Sequence, residues 1–126
     1  MLRYQSFILL SFLGLLTIAL SAKNAEPPMD KVVVEPIPLN LSAVSQLIHY
    51  PEYARRQGIE GELPIQVLVD KNGRIIAHKY TTENSVYFKD AVNPHLGKIR
   101  FKSASYNGKP MRAWITIQFD FKLADG

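Results

Sequence analysis

Between Met111 and Leu123 the chain alternates. Met111, Ala113, Ile115, Ile117, Phe119, Phe121 and Leu123 are apolar, while Arg112, Thr116, Gln118, Asp120 and Lys122 are polar, with Trp114 the one exception. Strict period-2 alternation predicts a single long β-strand from Met111 to Leu123 with one buried and one wet face. At roughly 3.3 Å per residue it would reach about 43 Å, more than twice the span of a strand of about five or six residues. The remaining chain has to cover its odd-numbered face.

Two further stretches carry strand patterns. Glu62 to Asp70 places Leu63, Ile65, Val67 and Val69 on one face, and Asp70-Lys71-Asn72-Gly73 reads as a hairpin turn. The partner, Arg74 to Thr82, alternates less cleanly, which predicts a bulge. Helical spacing occurs in three places. Asn40 or Ser42 can cap a short turn through Ala43, Val44, Leu47 and Ile48. In the next, Pro51 suits the first helical position, Glu52 the positive end of the dipole, Arg55 and Arg56 its negative end, and Gly58 a left-handed exit. In the third, Asn84 or Ser85 caps a helix whose stripe is Phe88, Val92, Leu96 and Ile99. Pro94 and Gly97 interrupt that stripe, so a kink or break is expected near Asn93. Tyr106 to Pro110 is a turn that launches the final strand.

The first segment is different in kind. Arg3 precedes Phe7 to Ala22, sixteen residues without a charge, ending in the small residues Ala19, Ser21 and Ala22. This fits a secretory signal cleaved near Ser21 or Ala22. It also fits a short uncleaved anchor, since sixteen helical residues cover roughly 24 Å of a hydrocarbon core of about 30 Å. On either reading the chain beyond Lys23 is exported. Glu26 to Pro38 holds four of the chain's eight prolines and is expected to run extended as a short tether. The expected organisation is thus signal or anchor over 1–22, linker over 23–40 and one domain over 41–124.

Composition narrows the chemistry. The 126 residues are 47% hydrophobic and 21% charged, enough for one small domain. The net charge of +4 comes from scattered Lys and Arg, with Arg55-Arg56 the one adjacent pair, and reads as a solvated face rather than a nucleic-acid site. Without cysteine there is no disulfide framework and no thiolate metal site. His49, His78 and His95 lie far apart and show no ligand spacing. Glu60 and Glu62 flank a turn glycine, and Ser103 and Ser105 sit in no nucleophile motif. The chain reads as a non-enzyme, with no cofactor expected.

In order, Tyr50-Pro51, Ala54-Arg55, Gly58-Ile59-Glu60-Gly61, Val69-Asp70, Gly73-Arg74, Phe101, Asn107-Gly108-Lys109-Pro110 and the final alternating strand resemble the C-terminal domain of TonB, from about Leu41 to Leu123. The resemblance implies an α+β fold, a three-stranded antiparallel sheet with two helices packed on one face. It implies a periplasmic protein that grips the box peptide of outer-membrane TonB-dependent receptors by β-augmentation along the last strand. Carried over, the contacts fall on His49, Tyr50 and Pro51 and along Arg112 to Asp120, with Arg112, Trp114, Thr116, Gln118 and Asp120 on the wet face. Trp114 suits either a peptide contact or a second-sheet or dimer contact. Members of the family that transduce energy also contact inner-membrane motor proteins of the ExbB and ExbD type through a Ser and a His on an anchor helix. Here the apolar segment has serines and no histidine, and the tether is short. A second reading from another class is an assembly module whose final strand pairs with its own copy as a homodimer. A third, a cell-envelope ligand, rests on the basic charge alone.

Overall fold

The computed structural model describes residues 32–124, so the expected signal or anchor over 1–22 lies outside the described residues. Its elements are β1 (Val33–Val34), β2 (Ile37–Pro38), α1 (Leu41–Ser45), α2 (Glu52–Gln57), β3 (Gly61–Val69) and β4 (Ile75–Tyr80). They continue as α3 (Ser85–Leu96), β5 (Phe101–Lys102), β6 (Ala104–Tyr106), β7 (Lys109–Met111) and β8 (Ala113–Phe121). Among the described residues no helix is long and apolar enough to cross a membrane.

The main sheet has the order β4-β3-β8 and is antiparallel throughout. β8 runs against the whole of β3, from Ala113 opposite Val69 to Phe121 opposite Gly61. Two smaller sheets, β1-β6-β7 and β2-β5, use residues expected to belong to a linker: Val33 pairs with Tyr106 and Ile37 with Lys102. The compact unit accordingly runs from Val33 onward.

Among the described residues three helices, rather than the expected two, accompany these sheets, because the short turn after Asn40 closes into α1. Asn84 and Asn40 stand at helix starts but neither caps its helix with its side chain. Asn84 Nδ2 instead donates to the Glu62 carbonyl at 3.0 Å and ties α3 to β3. α3 passes through Asn93 and Pro94 to end at Leu96, so of the kink or break expected there the break does not occur. Pro94 lies in the last turn, where the one hydrogen bond it forfeits is offset by the burial of Val92 and Leu96 on either side. Pro51 is the residue before the helix rather than its first, at φ −62° and ψ 133°, and Gly58 takes the left-handed exit at φ 70°.

The long strand predicted from Met111 to Leu123 is two strands. Met111 pairs with Ala104 in the small sheet, Ala113 pairs with Val69 in the main one, and Arg112 is the crossing point. Alternation survives the crossing, which is why the pattern could not show it. Beyond Phe121 the ladder ends.

The core lies between the main sheet and α3. Leu63, Ile65, Val67 and Val69 of β3 face Phe88, Val92 and Leu96 of α3, all buried, with Ile117, Phe119 and Phe121 of β8 beside them. Phe88 and Phe121 stack at 4.2 Å with planes 11° apart. Each such side chain contributes about 1.5–3 kcal/mol on leaving water. Cover is graded along β8: Ala113 and Ile115 are half-buried.

The bulge predicted in β4 is at Ile76, since Leu68 pairs with Ala77 and Val69 with Ile75. The Asp70 carboxylate closes the preceding turn by accepting from the amides of Asn72 and Arg74 at 2.8 and 2.9 Å, which holds its pKa below the ordinary carboxylate value. Gly73 is required there twice over. It has φ 81°, and an added Cβ would lie 2.0 Å from the Phe101 carbonyl oxygen.

Candidate functional site

β8 is an edge strand of the main sheet, with β3 on one side and no described strand on the other. Such an edge offers a row of backbone donors and acceptors. Alternation decides which residues own them, because in an antiparallel pair successive residues direct their amides to opposite sides. Pro64, with no amide proton, stands in β3 opposite Gln118, just past the point where the ladder to β4 ends at Ile65 opposite Tyr80. A proline is tolerated there when its nitrogen faces the open side. The Asp70 amide, in phase with Pro64, donates to Arg74 on the β4 side at 2.8 Å. The Leu123 amide donates toward β3, to Glu60 Oε2 at 2.7 Å. Odd residues of β8 thus bond to β3, and the amides of Trp114, Thr116, Gln118 and Asp120 line the free edge.

The C-terminal half of that edge borders a groove of about 610 Å³. Leu41, Ser42, Ser45, Ile48 and Tyr50 form one wall, and Gln118 to Lys122 the other. The first wall is anchored by Asn40, whose Nδ2 donates to the Lys98 carbonyl at 3.0 Å while its Oδ1 accepts from the Arg100 amide at 2.8 Å. Tyr50 belongs to this wall. Its ring meets Phe121 and Phe88 edge-on, and its hydroxyl donates to the Ile59 carbonyl. Burial, and secondarily the Glu60 carboxylate, raise its pKa.

Of the residues expected to bind a partner, Tyr50, Gln118 and Asp120 meet in this groove. Thr116 and Trp114 continue along the same edge. Arg112 lies past the end of β8, beside a separate depression of about 560 Å³ shared with Asp70 and Met111. His49 is exposed and Pro51 half-buried, and neither lines the groove. Trp114 is 50% exposed on the outer face, with Lys79 Nζ 5.1 Å from its ring. The α1 wall was missed from sequence. Its only signal was the short helical spacing around Val44, which predicts a buried residue but not a groove. Among the described residues no cluster of His, Cys, Asp or Glu could hold a metal ion.

Fold and edge together define a class: a small α+β module with an open edge strand beside a groove. Residues 46–123 match the family described as Gram-negative bacterial TonB protein C-terminal, and the chain belongs to it. Its fold is similar to the solution NMR structure of the Pseudomonas aeruginosa TonB CTD, at 24% identity and a TM-score of 0.53, over 73% of this chain and 90% of that one. A solution structure of the Helicobacter pylori TonB-CTD aligns at 17% identity and a TM-score of 0.44, over 91% and 100%. No curated protein matches the sequence. The family is non-enzymatic, and its C-terminal domains are periplasmic. Membership implies a role in TonB-dependent energy transduction, with TonB-dependent receptors as partners.

Proposed function

We propose that this domain captures an extended segment of an outer-membrane receptor as a fourth strand on the free edge of β8. The observation that carries the reading is the coincidence of outward-facing amides at Gln118 and Asp120 with the groove beside them. Main-chain bonds along an edge supply affinity for any extended chain, and pockets for alternate side chains supply selectivity. Tyr50 contributes through its ring in the groove wall, its hydroxyl being engaged by the Ile59 carbonyl. Trp114, Thr116, Gln118 and Asp120 contribute through their backbone. In this reading residues 1–22 bring the domain to the periplasm as signal or anchor, followed by a short tether.

The test is a titration of the isotope-labelled protein with receptor box peptides. Amide shifts are expected from 112 to 120, largest at the even-numbered residues. Their absence would sink the proposal. Concentration-dependent shifts at the same amides without peptide would instead favour the homodimer reading.

A further inference from the structure

At the groove end, β8 is apolar on one face, and on the other its Asp120 meets an acid of β3. Phe119 and Phe121 point to the core side, where Leu41, Ile48 and Tyr50 form the groove wall. On the outer face Asp120 stands directly opposite Glu62 of β3, a like-charge cross-strand pair. Such a pair opposes folding unless a cation relieves it. Among the described residues the ion pairs are those of Glu52 with Arg55 and Arg56, so neither Glu62 nor Asp120 has one. Gln118 Nε2 donates to Asp120 Oδ1 at 2.9 Å, which leaves Oδ2 open. Glu60 and Lys122 complete the charges around a depression of about 380 Å³ over this end of the sheet, so one lysine faces three carboxylates.

A strand added to β8 extends each cross-strand row by one residue. In either direction of the added strand, the residue aligned with Asp120 puts its side chain on the outer face, next in the row Glu62, Asp120. Its two neighbours in sequence point the other way, into the groove. We propose that the segment this domain captures carries a lysine or arginine in register with Asp120, with an apolar residue on each side of it. The basic head group completes the row that the fold leaves negative, and the flanking apolar side chains settle against Ile48 and Tyr50. This inference rests on strand addition at β8 and names the chemistry that the edge selects.

Three synthetic nonapeptides of alternating threonine and valine, with Lys, Gln or Glu between the two central valines, test it by calorimetry and by amide shifts on the whole protein. The Lys peptide is expected to bind about fivefold tighter than the Glu peptide, the sum of one exposed attraction gained and one repulsion avoided. Asp120→Asn and, independently, Glu62→Gln should each shrink that ratio, and so should high salt. Equal affinities for the three peptides, with shifts at Gln118 and Asp120 in every case, would overturn the charge selection and leave strand addition standing. No shift with any of them would overturn both.

Discussion

The Tyr50 hydroxyl donates to the carbonyl of Ile59, bridging the two ends of α2, while its ring packs edge-on against Phe88 and Phe121 at 6.1 and 5.6 Å. One side chain therefore joins the loop before α2, the loop after it and the core beneath the β8 edge. Tyr50→Phe removes only the hydroxyl bond and should cost about 1 kcal/mol. Tyr50→Ala also removes the ring and should cost about 3 kcal/mol. Urea unfolding separates the two. Tyr50→Phe is expected to retain peptide binding, because the ring stays in the groove wall.

The assignment of amides along β8 is open to direct test. Gln118→Pro removes an amide assigned to the free edge and should leave the protein folded while weakening peptide binding. Ile117→Pro removes one assigned to the β3 ladder. It should destabilise by about 1–3 kcal/mol more than Ile117→Ala, the cost of the ladder bond lost and its acceptor left unpaired. Circular dichroism of the two proline variants checks the phase: the reverse outcome would put the other set of amides outside.

Asn40 holds the far wall of the groove. Asn40→Ala abolishes both its bond to the Lys98 carbonyl and the one it accepts from the Arg100 amide. A loss of about 1–3 kcal/mol is expected. Amide exchange should quicken within α1, at Val44 for example, with little change in the centre of β3. Peptide affinity should fall although Asn40 itself does not line the groove.

The protein should lose stability in alkali. Tyr80 donates to Asn93 Oδ1, and burial, with a smaller contribution from Asp90, pushes its pKa up to about 12. The unfolded phenol ionises near 10, so the unfolded state releases its proton first. The stabilisation is whole below about pH 10 and is lost as pH rises to about 12. Tyr50, raised in the same direction, adds to the slope. Urea midpoints from about pH 9 to about pH 12 should therefore fall, and fall less steeply in Tyr80→Phe.

Local patterns placed most elements well. The stripe Phe88, Val92, Leu96 and Ile99 is buried, as are Leu63, Ile65, Val67 and Val69, because periodicities of 3.6 and 2 report which side of an element meets the core. Gly58 and the Asp70 turn were legible for a similar reason: a left-handed exit and a side chain closing onto nearby amides are local needs. The same rules misplaced the roles of Asn40 and Asn84, whose side chains bond to residues far along the chain instead of to their own helices. They also allowed a break at Pro94 that the helix does not show, since the local cost of proline ignores what burial on both sides returns.

The alternating stretch that ends the chain divides the two kinds of information most clearly. By itself the sequence determined that 113 to 121 is a strand, which of its faces is core, and, through resemblance, its family. Resemblance alone implied that it lies at an edge; only the tertiary structure decided that the strand begins after Arg112, that its even amides face outward and that α1 stands beside them. Side-chain alternation is a property of one strand, whereas an edge is the absence of a neighbour, and that depends on how every other strand has paired.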